Sequence, residues 1–505
     1  MEERKGFGSN FGFLMAAVGS AVGLGNIWGF PNKMGASGGF TFLIIYLILA
    51  VLCGFIVMVG ELAIGRKTGH GAVGAYKALS KKFKWMGWLG ILSAFFILFF
   101  YCALGGYCIK YTVLNIGDLF GAGFGSNGLS GGEIFGNFLG SPVEGVIYGL
   151  IFVALTMLIV MGGIGDGIEK FCGIGMPALF AMLLICIIRA CTLPGAVNGL
   201  KYMFVPGWAV ANGVIAEAPS IFQVISTAGG QMFFSLSIGM GAMITYGSYL
   251  SKKEHLEKNA MLIVVMDTLV ALMAGLCVMP ARFALDPEGP IGGPKLLFIT
   301  MQNVFDSVDG AIGAIFGIIF YLLVILAAIS SAISLMEVMA THFIDKRIEA
   351  GKSPERTKVT LWVSALILIE AVLVAVDGLG KSGVFKFWGD QAWNDCFLDF
   401  MDCWSEGIAM PLGAMLMSLM IGWELKPNYV LDEIHSGENS KFFDVFYKVC
   451  IMFVVPIVMA FVLAGQLQSF FNKANPNTMY IISGVLLVLF WIVAAVGNKA
   501  KAAAK

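Results

Sequence analysis

The chain has 505 residues, of which 58% are hydrophobic and 13% are charged. Lys and Arg together number 32, as do Asp and Glu, so no net charge attracts nucleic acid. This composition excludes a soluble globular protein and a disordered chain, and it predicts an integral membrane protein. Because the ten cysteines lie mostly inside apolar runs, we expect no disulfide framework.

The apolar runs predict about a dozen membrane-spanning helices, since each needs about 20 residues to cross the hydrocarbon. The predicted spans, in chain order, are 10–32, 39–64, 86–114, 144–163, 172–193, 216–250, 259–281, 310–343, 358–376, 397–422, 443–469 and 478–497. Arg4 and Lys5 before the first run imitate a signal peptide, but polar residues within the run favour a retained span.

The distribution of basic residues predicts the orientation of the spans. Most Lys and Arg fall in segments that would place both termini in the cytoplasm of a multi-pass protein of the cell membrane. We interpret the basic clusters within 66–84 and 346–358 as topology anchors, in preference to nucleic-acid or lipid-specific patches.

The first and sixth spans contain glycines and polar residues where a membrane helix is normally apolar. These stretches run from Ala17 to Asn26 and from Gly229 to Gly241. Unwound backbone is tolerated in a bilayer only where it is buried or lines a cavity. Since the two stretches occupy corresponding positions in two halves of five spans, they indicate an inverted repeat with a central binding site. The alternative is that the glycines only let helices pack closely.

The polar residues around these stretches offer hard oxygen ligands, which suit an alkali cation better than zinc or copper. They are Ser20, Asn26, Ser235, Ser237, Asp267, Ser330 and Ser331. A broken helix also presents N–H groups to an anion and carbonyls to a cation, so the site suits a zwitterion. Asp267 is the most indicative, because an acid inside a span is costly. Glu61 and Glu337 lie nearer span ends, where a structural hydrogen bond is an equal alternative.

Three motifs resemble those of the neurotransmitter:sodium symporter family. They are Ser20-Ala-Val-Gly-Leu-Gly-Asn-Ile-Trp-Gly-Phe-Pro31, Gly230-Gln-Met-Phe-Phe-Ser-Leu-Ser-Ile-Gly-Met-Gly241 and Ala327-Ala-Ile-Ser-Ser331. The resemblance implies an all-α membrane protein of twelve transmembrane helices, with a LeuT-type 5+5 inverted repeat and spans 1 and 6 unwound at mid-membrane. It also implies a first repeat over 1–195, a second over 196–425, and spans 11 and 12 with a cytoplasmic tail over 426–505.

The resemblance further implies residues for two sodium ions and one amino acid. The first sodium site comprises Ala21, Asn26, Ser235 and Asp267, and the second comprises Gly19, Val22, Ala327, Ser330 and Ser331. The substrate site comprises Ser20, Ala21, Leu24, Gly25, Ile97, Tyr101, Phe234, Ser235, Ser237, Met240, Ser331 and Leu335. In the family, N–H groups near Leu24 and Gly25 and the Tyr101 hydroxyl bind the substrate carboxylate.

Gly23 stands where the monoamine transporters of this family have an Asp that replaces a carboxylate missing from the substrate. With Gly, the ligand must bring its own carboxylate, so the resemblance implies an amino acid. No pocket residue is charged, which argues against acidic and basic side chains, and Met240 adapts to different shapes. We predict a sodium-coupled symporter of neutral, hydrophobic or aromatic L-amino acids.

Several alternatives remain open at this point. The same fold could carry glycine, alanine or a betaine, or it could serve as an amino-acid sensor or channel that does not couple transport. A membrane enzyme is the least supported class, because the sequence contains neither a recognisable nucleophile and base nor a metal-spaced His/Cys/Asp cluster. Oligomer formation has no support in the sequence.

Asp267 predicts independence from chloride. Chloride-dependent relatives have an amide at this position and hold an anion nearby, where this chain has Tyr46, Gln231 and Ser235. A carboxylate already supplies the negative charge, and it would also be able to carry a proton during the return step.

In the family, an ion pair closes the substrate site at each end, and this sequence matches the residues of only the inner pair. Arg4 and Asp345 resemble the inner ion pair, with Phe7 and Tyr249 beside them. Asp402 matches the outer acid, but Gly29 stands where the family has Arg. Lys33, one helical turn further on, is either a replacement or, more plainly, a surface lysine.

Overall fold

The computed structural model describes residues 6–286, 295–308, 311–381, 396–434, 441–471 and 475–502. Across these ranges the chain is helical and forms no strand. Ten of the described helices are long and apolar enough to cross a membrane, and the bent pair Asn10–Ala21 and Gly25–Ala36 adds an eleventh. The ten are Phe40–Thr68, Met86–Phe120, Pro142–Met161, Ile164–Cys191, Leu256–Leu285, Ala311–Glu349, Arg356–Asp377, Phe397–Leu425, Lys441–Ser469 and Asn477–Val496.

The region of the predicted sixth span consists of two shorter helices, Ile221–Ser235 and Ala242–Gly247. Each is too short to count as a membrane helix by itself, so a total of twelve stays a prediction. The bounds otherwise agree with the predicted spans to within about eight residues. The helices are numbered below as spans 1 to 12 in chain order, with each broken pair taken as one span.

Short helices connect the spans, and π-helical turns interrupt several of them. The connecting helices are Ala72–Leu79, Gly131–Leu139, Ala196–Phe204, Trp208–Ala211, Met301–Asp306 and Asn428–Ile434. The π-helical segments are Gly25–Gly29, Ala50–Gly54, Ile164–Glu169, Leu296–Thr300, Cys403–Ala409, Met420–Leu425 and Cys450–Val454.

The broken spans begin with the same kind of cap. The Ser9 hydroxyl accepts a hydrogen bond from the Gly12 N–H at 2.9 Å, and the Ser220 hydroxyl accepts one from the Gln223 N–H at 3.2 Å. Each cap satisfies a backbone donor that has no partner within the first helical turn.

The core of the molecule surrounds the broken spans. Spans 3 and 8 pack against each other and span 8 also packs against span 1, whose second half contacts span 6. Among the ten unbroken spans, span 3 is the most enclosed, with 78% of its most apolar stretch buried, whereas the figure for span 12 is 11%. Span 12 therefore lies at the periphery, where exposed side chains such as Ile481, Val485 and Leu489 suit contact with lipid or another subunit.

Candidate substrate and sodium site

Span 1 breaks between Ala21 and Gly25. Its first helix ends at Ala21, and the backbone of Val22 is extended, with φ −72° and ψ 103°. The second helix begins at Gly25, and the two halves are bent by 46°. The Asn26 side-chain oxygen accepts a hydrogen bond from the Gly23 N–H at 2.9 Å, so one backbone group freed by the break has a partner within the span.

Span 6 breaks between Ser235 and Ala242, where the chain passes through left-handed conformations at Ser237, Gly239 and Gly241. At Gly239 (φ 84°), a Cβ would lie 2.6 Å from the Met410 carbonyl oxygen, so both conformation and space require glycine. Its N–H donates to Oε1 of Glu61 on span 2 at 2.7 Å. The buried Glu61 side chain thus accepts a hydrogen bond from a backbone N–H group that the break of span 6 leaves without a helical partner.

The two breaks face each other. The Ser237 hydroxyl donates to the Ser20 carbonyl at 2.7 Å, and Nε2 of Gln231 donates to the Gly25 carbonyl at 2.7 Å. The hydroxyl of Ser331 on span 8 also donates to the Ser20 carbonyl, at 3.1 Å. Predicted site residues from spans 1, 6 and 8 therefore lie within hydrogen-bonding distance of one another, around backbone that the breaks expose.

Most of the residues predicted for the first sodium site form one buried cluster. Asn26 Nδ2 donates to Asp267 Oδ1 at 2.7 Å, and the Ser235 hydroxyl donates to Asp267 Oδ2 at 2.9 Å. All three side chains are fully buried. Ala21 is the last residue of its helix, where carbonyls lack an intrahelical partner. The Ser235 hydroxyl and the Asp267 carboxylate are oxygen donors that fit a hard cation, whereas the Asn26 amide turns its nitrogen to Asp267 and its oxygen to the Gly23 N–H.

The five residues predicted for the second sodium site also lie together. The Ser330 hydroxyl donates to the Ala327 carbonyl at 3.0 Å and lies 3.4 Å from the Val22 carbonyl oxygen. The Ser331 hydroxyl lies 3.4 Å from the carbonyl oxygens of Gly19 and Val22. Span 8 thus presents two hydroxyls to the frayed end of the first helix, which is a neutral donor set suited to a monovalent ion.

The predicted substrate pocket is narrow next to Gly23. A Cβ at Gly23 would lie 2.9 Å from the Tyr101 hydroxyl and would also meet the Ser331 hydroxyl. The rings of Tyr101 and Phe234 contact edge to face, with centroids 6.1 Å apart. An Asp side chain at position 23 would occupy this space, so the geometry agrees with a ligand that supplies the carboxylate.

The remaining predicted pocket residues are apolar and buried. Ile97 lies one helical turn before Tyr101 on span 3, and Leu335 lies one turn after Ser331 on span 8. Each pair shares a helix face. Met240 lies in the break of span 6. Leu24 completes the buried set, and none of these side chains is charged.

At one end of this pocket Lys33 forms an ion pair with Glu406, so it is not a plain surface lysine. Their side chains are 22% and 8% exposed, and the Lys33 ammonium lies 5.8 Å from the centroid of the Phe234 ring. Asp402, the acid expected from the sequence, is half-buried and lies one turn before Glu406. In the family pattern the pair would join position 29 to Asp402. Here the cation lies four residues later, at Lys33, and so does the acid, at Glu406. The equal shift of both partners was the sequence signal that could have predicted this pair.

At the opposite end of the site Phe7 contacts Tyr249, with ring centroids 6.4 Å apart. Arg4 lies outside the described residues. Asp345 is buried, and its Oδ2 accepts a hydrogen bond from the Gly71 N–H at 3.1 Å. The predicted gate residues Phe7 and Tyr249 are thus in contact, while Asp345 has a partner on the loop after span 2.

A second ion pair at this end was missed by the sequence reasoning. Arg356, the first residue of span 9, pairs with the fully buried Glu337 on span 8, with Nη1 3.2 Å from Oε1. The Tyr249 hydroxyl donates to the same Oε1 at 3.0 Å, and the Arg356 Nε donates to the Val160 carbonyl at 2.9 Å. A buried acid needs a partner, so Glu337 was a sign that a cation lies nearby.

Long apolar helices around two facing helix breaks, with polar side chains and exposed backbone carbonyls at the centre, define a multi-pass membrane protein with a central polar site. A family model described as the sodium:neurotransmitter symporter family matches residues 4–119 and 143–498. The chain belongs to this family, whose members are sodium-coupled transporters and not enzymes.

Individual relatives agree with this assignment. An uncharacterized sodium-dependent transporter of Bacillus subtilis, YhdH, is 33% identical over 90% of this chain and 96% of its own length. An uncharacterized sodium-dependent transporter of Methanocaldococcus jannaschii is 29% identical over 99% of this chain and 98% of its own. The crystal structure of MhsT in complex with L-phenylalanine superimposes with a TM-score of 0.79 at 34% identity, covering 92% of this chain and all of MhsT.

Proposed function

We propose that the protein is a sodium-coupled symporter of neutral L-amino acids, with a preference for hydrophobic or aromatic side chains. The observation that carries this proposal is the meeting of the two helix breaks, joined by the hydrogen bond from Ser237 to the Ser20 carbonyl. The breaks offer N–H groups to a carboxylate and carbonyls to an ammonium group. The uncharged pocket of Ile97, Met240 and Leu335 supports a neutral side chain, as does the phenylalanine bound to MhsT.

Two sodium ions would couple to the substrate in different ways. The ion held by Ala21, Asn26, Ser235 and Asp267 would also contact the substrate carboxylate, so each would raise the affinity for the other. The ion held between Gly19, Val22 and Ser330 would join span 1 to span 8 without touching substrate. Its binding would favour the conformation in which these two spans are close.

Transport would not require chloride. Asp267 places a carboxylate within hydrogen-bonding distance of Asn26 and Ser235, so the negative charge that an anion would bring is already part of the protein. Tyr46, whose hydroxyl lies 3.4 Å from the Ser235 hydroxyl, completes the polar wall of this cluster.

Alternating access would proceed by breaking the two ion pairs in turn. Lys33–Glu406 closes one side of the site and Arg356–Glu337 closes the other. With both termini in the cytoplasm, the first pair is extracellular and the second cytoplasmic. The division of the chain into a first repeat over 1–195, a second over 196–425, and spans 11 and 12 with the tail over 426–505 stays a prediction.

Counterflow in proteoliposomes tests this function. Vesicles loaded with unlabelled L-phenylalanine and sodium should accumulate labelled L-phenylalanine from outside, and potassium in place of sodium should abolish the exchange. A sensor would bind without exchange, and preferential exchange of glycine or a betaine would overturn the substrate class. Ser235→Ala should lose exchange, whereas Ser418→Ala should not, because among the described residues the equally buried Ser418 hydroxyl bonds only the Met415 carbonyl of its own helix.

A further inference from the structure

A cavity of about 580 Å³ lies between the end of span 8 and the start of span 9. Basic residues line its mouth at the loop between the spans, namely Lys346, Arg347, Lys352 and Lys358. Further from the loop along the two helices the wall is apolar and exposed: the exposed fractions are 43% for Phe343, 76% for Trp362 and 49% for Leu366. One cavity therefore combines a cationic mouth with an uncovered apolar wall.

The basic residues at the mouth outnumber the acids that line the cavity. The lining contains four basic residues and one acid, Glu355, for a net charge of +3 (4 − 1). Both Glu355 oxygens are already used, since Oε1 lies 2.8 Å from Arg347 Nη2 and Oε2 lies 2.9 Å from Lys358 Nζ. Within the described residues no carboxylate lies within 4 Å of Lys346 or Lys352.

Glu355 is ionised in this arrangement. Its hydrogen bond with Lys358, together with the nearby charges of Arg347 and Lys358, holds the pKa of the carboxyl below its usual range. The acid is thus a fixed part of the mouth that orients two of the cations. The other two lysines are left to attract an anion from outside the protein.

The sequence alone favours topology anchors for the basic cluster within 346–358, but the cavity places two of its lysines beside an exposed apolar wall. We propose that this cavity binds an anionic phospholipid, with the headgroup phosphate at Lys346 and Lys352 and an acyl chain along Trp362 and Leu366. Basic pockets between membrane helices suit anionic headgroups, and exposed Trp is typical of the membrane interface. A soluble anion would contact only the mouth and leave the apolar wall in water. The volume admits a headgroup and the first part of a chain.

Retention of lipid by the purified full-length protein tests this proposal without depending on transport. The protein in mild detergent would be incubated with phosphatidylglycerol or with phosphatidylcholine of the same chains, and the bound lipid counted by native mass spectrometry. We expect tighter retention of phosphatidylglycerol. Lys346→Gln with Lys352→Gln should weaken it roughly thirty-fold, and Trp362→Gln should weaken retention of both lipids.

A matched control distinguishes a built site from general attraction to basic surface. Lys81 and Lys84 are exposed lysines beside exposed Trp85 and Trp88, but they are not part of the lining of this cavity. Lys81→Gln with Lys84→Gln should therefore leave retention unchanged. Equal retention of the two lipids, or an equal loss in the control, would overturn the proposal. So would displacement of the lipid by soluble glycerol phosphate, which would identify the mouth as a site for free phosphate.

Discussion

The Asn26 amide donates a hydrogen bond to the Asp267 carboxylate at 2.7 Å, which joins span 1 to span 7 at the centre of the molecule. Both side chains are fully buried. A carboxylate in such surroundings is costly unless it has partners or a cation. We therefore expect sodium binding and chloride independence both to depend on the cluster around Asp267.

Replacing Asp267 by Asn should convert the protein to chloride dependence. The substitution keeps the shape but removes the negative charge, so sodium should bind roughly ten- to a hundred-fold more weakly without chloride. Added chloride should restore part of the loss. Uptake would be measured in chloride and in gluconate for both forms; a strict chloride requirement with Asp267 intact would contradict the prediction.

Removing the Ser330 hydroxyl should weaken the second sodium site. Ser330 lies against the Ala327 and Val22 carbonyls, so Ser330→Ala should raise the half-saturating sodium concentration about fivefold. Ser334→Ala is the matched control, because this equally buried hydroxyl bonds only the Ser331 carbonyl of its own helix. Equal effects of the two variants in a sodium titration would argue against an ion at Ser330.

A methyl group at position 23 should obstruct the substrate carboxylate. Gly23→Ala places a Cβ against the hydroxyls of Tyr101 and Ser331, and we expect at least a tenfold loss of affinity for L-phenylalanine. Gly173→Ala on span 5 meets nothing within 4 Å and should have no effect. Equilibrium binding to both variants checks this; unchanged affinity in Gly23→Ala would place the carboxylate elsewhere.

Breaking the Lys33–Glu406 pair should let substrate escape outward. Lys33→Gln and Glu406→Gln should each speed dissociation of bound L-phenylalanine roughly five- to tenfold, and the exchanged pair Lys33→Glu with Glu406→Lys should slow it again. Lys201→Gln changes an exposed lysine on a connecting helix and serves as the control.

Asp402→Asn tests which acid is the partner of Lys33: Glu406, as in the structure, or Asp402, as the sequence resemblance implies. If Glu406 is the partner of Lys33, its substitution should speed dissociation more than Asp402→Asn does. A larger effect of Asp402→Asn would identify Asp402 as the functional acid, as in the family, and would argue against the Lys33–Glu406 pair.

Much of the fold could be predicted because membrane helices are encoded locally. Runs of apolar residues locate helices such as Met86–Phe120, whose predicted span is 86–114, and the Gly-rich polar stretches at Gly23 and Gly239 contain the two breaks. The pairings of Lys33 with Glu406 and of Arg356 with Glu337 could not be predicted in this way. They depend on which spans are neighbours and on the helix face that each residue occupies, and 373 residues separate the first two.

Binding of neutral L-amino acids to the purified protein, with sodium or with potassium in its place, tests the central claim most directly. We predict that L-phenylalanine or a related apolar amino acid binds in sodium and not in potassium, and that Asp267→Asn weakens this binding when chloride is absent. Binding that is equal in the two salts, or no binding of any neutral amino acid, would contradict the account.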